Sequence, residues 1–94
     1  MSTATINGMT FNLAEAKSRA AYWNAILADQ FKGRTIIEAR YMTAEESEEY
    51  GWDESAAVFF FDNGSHCIVS QDDEGNGAGA LLTSNETNPI IPVV

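Results

Sequence analysis

From Tyr41 to the C-terminus the sequence contains no lysine or arginine. All five basic residues lie within the first forty positions, whereas eleven of the fourteen acidic residues follow position 40. The second part of the chain therefore carries a net charge of −11 and the first part +2, out of −9 in total. Binding to nucleic acid or to an anionic membrane requires Lys or Arg to neutralise phosphate. We therefore expect no nucleic-acid or membrane partner, which leaves basic proteins and cations.

Cysteine and long apolar runs are also scarce. Cys67 is the only cysteine, so the chain forms no internal disulfide and gives no support for an oxidising compartment. Residues 1–11 contain neither the charged segment nor the apolar segment of a signal peptide. No apolar run reaches the roughly 18 residues that a membrane-spanning helix needs. These absences predict a cytoplasmic protein.

The composition is that of a small globular protein. Of the 94 residues, 45% are apolar and 11% are aromatic, which predicts a single domain over residues 1–94. Folding of a chain of this length buries roughly 60–65% of the surface that the unfolded chain exposes. Residues 83–94 form an apolar tail, in which Pro89 and Pro92 exclude a central strand.

The strongest structural signal is Asn63-Gly64, which lies between two runs of β-forming residues, 57–62 and 65–70. It predicts a hairpin with a two-residue type I′ turn, in which Phe61 lies opposite His66. Both faces of this hairpin are apolar, and the one long helix covers only one of them. We therefore expect a homo-oligomer, most simply a two-fold dimer. The predicted faces are Phe59, Phe61, His66 and Ile68 on one side and Val58, Phe60, Cys67 and Val69 on the other.

The N-terminal part predicts a long helix. A second dipeptide, Asn7-Gly8, fits either a short terminal hairpin or an isolated turn. Asn12 and Glu15 have the spacing of a capping box and predict the start of the helix, and Gly33 predicts its end. Apolar residues at steps of three and four define a stripe that we expect to pack as core. The stripe consists of Leu13, Ala16, Ala20, Trp23, Leu27 and Phe31.

The predicted fold class follows from these elements and one more strand. Residues 34–42 alternate in a pattern that predicts a strand, with Glu38 and Arg40 paired on one face. We therefore expect an α+β fold, in which one long N-terminal helix packs on a small antiparallel sheet. The sheet contains the central Asn63-Gly64 hairpin, and one short acidic helix completes the fold.

The short helix is predicted by a second capping box. Thr43 and Glu46 have the required spacing, so a helix is expected over residues 43–50, with Gly51 as its stop. Trp52 then returns to the core. The acidic residues of this helix form a candidate docking face for a basic partner. The residues of this docking face are Glu45, Glu48 and Glu49.

The loop of residues 71–80 is the best candidate for chemistry. Asp72, Glu74 and Asn76 match the first three ligand positions of the calcium-loop pattern. Thr83 occupies the last position, where the pattern requires a bidentate glutamate. The loop is therefore only a weak calcium candidate. The alternatives are a glycine turn whose acids cap backbone N–H groups, or a rigid loop that recognises a small ligand or a partner.

A small-ligand or partner site at this loop would combine it with aromatic residues. The predicted site consists of Tyr41, Trp52, Asp72, Asp73, Glu74 and Asn76. Elsewhere, His66 and Cys67 are adjacent on a strand and point to opposite faces, which excludes a local Cys–His dyad. We therefore expect no catalytic residues, no cofactor and no metal centre.

Residues 40–82 contain the ordered segments RYMTAEE, GW, FDNGS and SQDDEGNGAGALL. This order resembles a group of small uncharacterised bacterial and phage proteins. Those proteins share RYMT-x-EE, GW, a DDG-type hairpin turn and DDEGN-x-x-GAL. The resemblance implies that the hairpin, Trp52 and the acidic loop belong together, and it implies no activity and no functional residues.

The sequence favours a small, acidic, non-enzymatic interaction module or regulator. We expect it to be a homo-oligomer that docks a basic protein partner. The alternative is a protein that binds or sequesters a small ligand or a divalent cation through the Asp72–Gly79 loop.

Overall fold

The computed structural model describes residues 2–94. The chain divides into two compact units, Met1–Arg34 and Thr35–Val94. Two helices and several small antiparallel sheets confirm the α+β class. Neither helix of the described residues has the length and apolar character needed to cross a membrane. The single-domain organisation stays a prediction.

The first unit contains a hairpin and the long helix. Its elements are β1 (Thr3–Ile6), β2 (Met9–Asn12) and α1 (Ala16–Phe31). The two strands pair antiparallel, with Ile6 opposite Met9, and the residues between them have φ values of 50° at Asn7 and 79° at Gly8. Two consecutive positive φ values characterise a type I′ turn. Of the two interpretations of this dipeptide, the hairpin is therefore the one observed.

Helix α1 begins later than predicted. Asn12 is the last residue of β2, and its Oδ1 accepts a hydrogen bond from the backbone N–H of Ala14 at 3.0 Å. The backbone N–H of Asn12 donates to Oγ of Ser18 at 2.8 Å. Glu15 is the N-cap residue of α1, and its side chain makes no capping hydrogen bond. The predicted Asn12–Glu15 capping box is therefore wrong, because strand pairing holds Asn12 in the hairpin.

Helix α1 packs on the β1–β2 hairpin through a face that adjoins the predicted apolar stripe. The rings of Tyr22 and Phe11 lie 5.8 Å apart, edge to face, and Phe11 is the only buried residue among residues 2–34. Trp23 and Leu27 of the stripe are 62% and 58% exposed, so their prediction as core is wrong. Adjacent residues of a helix point about 100° apart. Because the hairpin contacts the helix at Tyr22, the neighbouring residue Trp23 points away from it. The helix ends as predicted, with Gly33 following it at φ 79°.

The second unit contains a three-stranded sheet, a short helix and a two-stranded sheet. The elements are β3 (Ile36–Tyr41), α2 (Ala44–Glu49), β4 (Ala57–Phe61), β5 (His66–Ile68), β6 (Leu81–Leu82) and β7 (Ile90–Ile91). The first sheet has the antiparallel order β3-β4-β5, and β6 pairs with β7. The strand β3 carries a bulge between Ile36 and Glu38. A single bridge between Ser70 and Ala78 closes the acidic loop.

The central hairpin has a three-residue loop instead of the predicted two-residue turn. The backbone N–H of Phe61 donates to the carbonyl of Ser65 at 2.9 Å, and that of Gly64 donates to the carbonyl of Phe61 at 3.1 Å. Gly64 has φ 85°, whereas Asn63 does not have a positive φ. This is the pattern of a type I turn followed by a left-handed glycine. The Asn63 side chain contributes by accepting hydrogen bonds from the backbone N–H and the hydroxyl of Ser65.

The longer loop shifts the register of the hairpin by one residue. Phe60, not Phe61, lies opposite His66, and Phe59 lies opposite Cys67. Because side chains alternate along a strand, a one-residue shift exchanges the faces of one strand relative to the other. The predicted faces are therefore wrong. In the structure, Val58, Phe60, His66 and Ile68 share one face, and Phe59 and Cys67 lie on the other.

The core of the second unit lies on the Val58 face of the sheet. Val58 is 2% exposed, and Met42, Trp52 and Ala56 are buried around it. The expected return of Trp52 to the core is thereby confirmed. The opposite face opens into an apolar groove of about 450 Å³ between the sheet and the β6–β7 pair. The groove is lined by Ala39, Arg40, Tyr41, Ala57, Phe59, Leu81, Thr83 and Ile91.

Candidate functional site

Glu46 joins the capping box of α2 to strand β3. The predicted box is confirmed: Oγ1 of Thr43 accepts from the N–H of Glu46 at 3.2 Å, and Oε1 of Glu46 accepts from the N–H of Thr43 at 2.7 Å. The same carboxylate accepts two hydrogen bonds from the Arg40 guanidinium, at 2.8 and 3.2 Å. Nε of Arg40 also lies 3.8 Å from Oε1 of Glu38, which confirms the predicted pairing of these two residues. Cζ of Arg40 lies 4.9 Å from the centre of the Phe60 ring. The only cation of residues 35–94 is thus already paired with carboxylates.

This arrangement predicts a loss of stability in acid. The Arg40 guanidinium and the backbone N–H of Thr43 lower the pKa of Glu46 from 4.5 to about 2. Because the pKa is lower in the folded protein, ionised Glu46 stabilises the fold above pH 4.5, and this contribution is lost as the pH falls toward 2. We expect Glu46→Gln to lower the Tm at neutral pH. The difference from wild type should shrink across that acid range.

Circular dichroism melts at a series of pH values measure this effect. Glu45→Gln is the matched control, because Glu45 lies one residue away, is exposed and is outside the capping box. Glutamine still serves a capping box, but its amide nitrogen cannot accept from Nη2 of Arg40, so the substitution removes the charge and one of the two hydrogen bonds to Arg40. A Tm difference for Glu46→Gln that is independent of pH would contradict this account.

Asp72 organises the acidic loop, residues 71–79. Its Oδ1 accepts hydrogen bonds from the backbone N–H groups of Glu74 and Asn76, at 3.0 and 3.1 Å. Its Oδ2 accepts from Nδ2 of Asn76 at 2.9 Å, and Gly75 completes the turn with φ 74°. These hydrogen bonds, that of the Asn76 side chain foremost, lower the pKa of Asp72. The loop is therefore a glycine turn capped by an acid, which is one of the alternatives predicted.

The same geometry does not fit a calcium site. Both oxygens of Asp72 are occupied by N–H donors, and the amide nitrogen of Asn76 faces Asp72. Calcium requires six to eight oxygens that converge on one point. Within residues 2–94, no group of three Asp, Glu, His or Cys side chains is placed to hold a metal ion.

Trp52 connects the acidic loop to the end of α2. Its Nε1–H donates a hydrogen bond of 2.8 Å to the carbonyl of Gly75, and its ring lies 5.0 Å from that of Tyr50. A cleft of about 240 Å³ lies beside this contact, between residues 51–54 and residues 71–78. The lining residues are Gly51, Trp52, Asp53, Glu54, Gln71, Asn76, Gly77 and Ala78.

Of the predicted site residues, Trp52 and Asn76 line this cleft. The exposed acids of the loop lie between the lining residues Gln71 and Asn76 but do not themselves line the cleft. Asp53 and Glu54 lie on the opposite wall, and they are site residues that the sequence analysis missed. The exposed acids of the loop are Asp72, Asp73 and Glu74.

Tyr41 lies apart from the cleft, so its inclusion in the predicted site is wrong. Its hydroxyl donates to the carbonyl of Pro92 at 2.8 Å, and its side chain lines the apolar groove. The next residue, Met42, belongs to the core beside Trp52. Adjacent strand residues face opposite sides of a sheet, which places Tyr41 on the side away from Trp52.

The remaining candidates lie outside the cleft. The predicted docking face is exposed on α2, and its residues are Glu45, Glu48 and Glu49. Cys67 is partly buried, and burial raises the pKa of its thiol, which favours the less reactive protonated form. The ring of His66 lies 6.0 Å from that of Phe60, at the edge of the sheet.

Comparison with protein-family models, curated proteins and solved structures finds no match to this chain. The resemblance of residues 40–82 to small bacterial and phage proteins stays a prediction. The function is therefore inferred from the geometry of the cleft and from the charge around it.

Proposed function

We propose that this chain is a non-enzymatic interaction module or regulator that docks a basic protein partner, and that it does so as a homo-oligomer in the cytoplasm. The observation that supports this proposal most directly is the cleft between residues 51–54 and 71–78. Two acidic segments that are distant in sequence meet there, and the hydrogen bond from Trp52 to Gly75 joins them. The result is a recessed surface with the exposed acids Asp53 and Glu54 on one wall and the exposed acidic residues 72–74 next to the other wall.

The charge of the second unit favours a basic partner. Residues 35–94 contain twelve acidic residues and one basic residue, Arg40, which is bound to Glu46. The acids that line the cleft, Asp53 and Glu54, are exposed, as are the adjoining acids of the loop, residues 72–74. A concentrated negative surface attracts cationic partners over a distance and accelerates their association.

A titration with a fluorescent peptide rich in Lys and Arg tests this function. We expect binding that weakens steadily as ionic strength rises, because exposed charges are screened by salt. The double substitution Asp53→Asn and Glu54→Gln should weaken binding by about threefold or more, since each exposed ion pair contributes up to about 1 kcal/mol. Both side chains are exposed and line the cleft.

The matched control is the double substitution Asp62→Asn and Glu86→Gln, both at exposed positions. It makes the same change in net charge at positions outside the cleft. We expect it to leave peptide binding nearly unchanged. Equal losses in the two variants, or binding that does not respond to salt, would contradict docking at the cleft.

The alternative function is binding of a small ligand or a divalent cation at the same loop. The polar cleft beside Trp52 favours it, but the occupied oxygens of Asp72 oppose a cation. Thermal unfolding with and without calcium separates the two, because a ligand that binds only the folded state raises the Tm. An increase in Tm with calcium would favour the alternative, and an unchanged Tm favours the basic partner.

A further inference from the structure

Strand β3 is an open edge of its sheet. Among residues 2–94 it pairs with β4 only, and the segment Ile36–Ala39 is exposed. The N–H of Met42 donates to the carbonyl of Ala56 at 2.9 Å, so Met42 directs its backbone groups toward the chain before β4. Because these directions alternate in an antiparallel pair, Ala39 directs its N–H and C=O outward. Outward groups of this kind are a template for pairing with another strand. Ala39 lies between the bulge near Ile37 and the Tyr41 carbonyl, which accepts a hydrogen bond from Arg40 at 2.9 Å, so Ala39 is the centre of the available edge.

The charges of β3 are arranged symmetrically about Ala39. Glu38 and Arg40 flank it, and they are the only charged residues of the strand. If two β3 strands pair antiparallel across a two-fold axis at Ala39, Glu38 of each copy lies opposite Arg40 of the other. In this register Ala39 forms the hydrogen-bonded pair. The charged residues form the non-hydrogen-bonded pairs, in which side chains lie closest together.

The guanidinium of Arg40 has capacity for this second contact. It has five N–H donors, and its two hydrogen bonds to Glu46 and one to the carbonyl of Tyr41 leave Nε toward Glu38. The distance from Nε to Glu38 of the same chain is 3.8 Å, which is longer than a hydrogen bond. A carboxylate from a second copy therefore improves on the contact that exists within one chain.

The charge distribution of the second unit also favours β3 as the edge at which two copies pair. Apart from Arg40, every Lys, Arg, Asp or Glu in residues 35–94 is acidic, so most surfaces of two copies repel each other. At β3 the charges are balanced within the strand, and the repulsion is smallest. The other edge of the sheet, β5, has only three residues, whereas β3 has six.

We propose that two copies of this chain dimerise by antiparallel pairing of β3 with β3, with Ala39 on the two-fold axis and Glu38 facing Arg40 of the second copy. This proposal rests on the homo-oligomer of the proposed function and specifies its interface. The pairing joins the two sheets into one. It also brings together the apolar grooves of the two copies, since Ala39 and Tyr41 line each groove.

The substitution Ala39→Pro tests the interface. Proline is tolerated in an edge strand where the lost N–H faces outward, so the pairing of β3 with β4 is retained. The substitution removes the two central donors of the dimer. We expect the wild type to sediment as a dimer and Ala39→Pro to weaken dimerisation at least about tenfold, with an unchanged circular dichroism spectrum.

A charge reversal provides the second variant. Glu38→Lys places a lysine opposite Arg40 in both symmetric pairs, and we expect it to weaken the dimer about tenfold. Glu45→Lys makes the same charge change on α2, outside β3, and should leave the dimer intact. If Ala39→Pro changes the circular dichroism spectrum, the comparison of Glu38→Lys with Glu45→Lys decides whether β3 forms the dimer interface.

The outcomes separate this proposal from the proposed function. A wild type that is monomeric at all concentrations overturns both the β3 interface and the homo-oligomer. A dimer that tolerates the β3 variants overturns the interface alone and leaves the homo-oligomer standing. Docking of a basic partner is judged independently by the peptide titration.

Discussion

Replacement of Trp52 with alanine is expected to lower the free energy of unfolding by about 3–5 kcal/mol. The side chain is 9% exposed and packs in the core with Met42 and Val58. The substitution leaves a cavity and deprives the Gly75 carbonyl of its hydrogen-bond donor. Small domains are stable by only about 5–15 kcal/mol, so the second unit should be close to unfolding. Urea denaturation followed by circular dichroism measures the change.

Two further variants separate the contributions of Trp52. Trp52→Phe keeps an aromatic side chain but removes Nε1–H, and it should cost only about 1–2 kcal/mol. Trp23→Ala is the matched control, because Trp23 is 62% exposed on α1. Substitutions at exposed positions usually change stability by less than about 0.5 kcal/mol. If Trp23→Ala is as destabilising as Trp52→Ala, the burial described for the two tryptophans is wrong.

Replacement of Gly79 with alanine is expected to destabilise the protein by about 1–3 kcal/mol. A Cβ atom at this position would lie 2.6 Å from the carbonyl oxygen of Ser70 and 2.7 Å from its carbonyl carbon. These are backbone atoms, and the N–H of Gly79 also donates to the carbonyl of Val69 at 2.9 Å. Relief of the contact therefore requires a shift of the backbone that closes the acidic loop.

Gly77→Ala is the matched control in the same loop. Its Cβ would lie 2.7 Å from Oε1 of Gln71, the end of a flexible and exposed side chain that moves at little cost. Urea denaturation of both variants should therefore show a clear loss of stability for Gly79→Ala and a small one for Gly77→Ala. The reverse order would contradict the closure of the loop against Ser70.

Local signals in the sequence were sufficient to predict the structure where the stabilising interactions are also local. The Thr43–Glu46 capping box, the stop at Gly51 and the turn at Asn7-Gly8 each depend on residues within four positions of one another. The class of the fold followed from these elements. The return of Trp52 to the core was also predictable, because a large aromatic residue after a helix stop has few other ways to leave water.

The wrong predictions arose where one local sequence signal is compatible with two structures. An Asn-Gly dipeptide serves a two-residue type I′ turn, as at Asn7-Gly8, or the end of a three-residue loop, as at Asn63-Gly64. The choice at the second site reversed the predicted faces of the hairpin. Likewise, the helical period of α1 located an apolar stripe but did not show which side would meet Phe11.

The candidate site was only partly predictable because its contacts are long-range. Trp52 and Gly75 are 23 positions apart, so no local sequence pattern predicts the hydrogen bond between them. The paired role of Glu46 was accessible only through the position of Arg40 at the end of β3. Tyr41 was misplaced because aromatic character does not indicate the side of the sheet on which a residue lies.

Docking of a basic partner in the cleft beside Trp52 is tested most directly by a two-dimensional ¹⁵N NMR titration of the protein with a Lys- and Arg-rich peptide. We predict salt-sensitive shifts of the Trp52 indole N–H and of the backbone amides of residues 51–54 and 71–78, while the Trp23 indole N–H stays in place. Resonance shifts at Trp23 or along the apolar groove, with no shifts at the cleft, would contradict docking of a basic partner in the cleft.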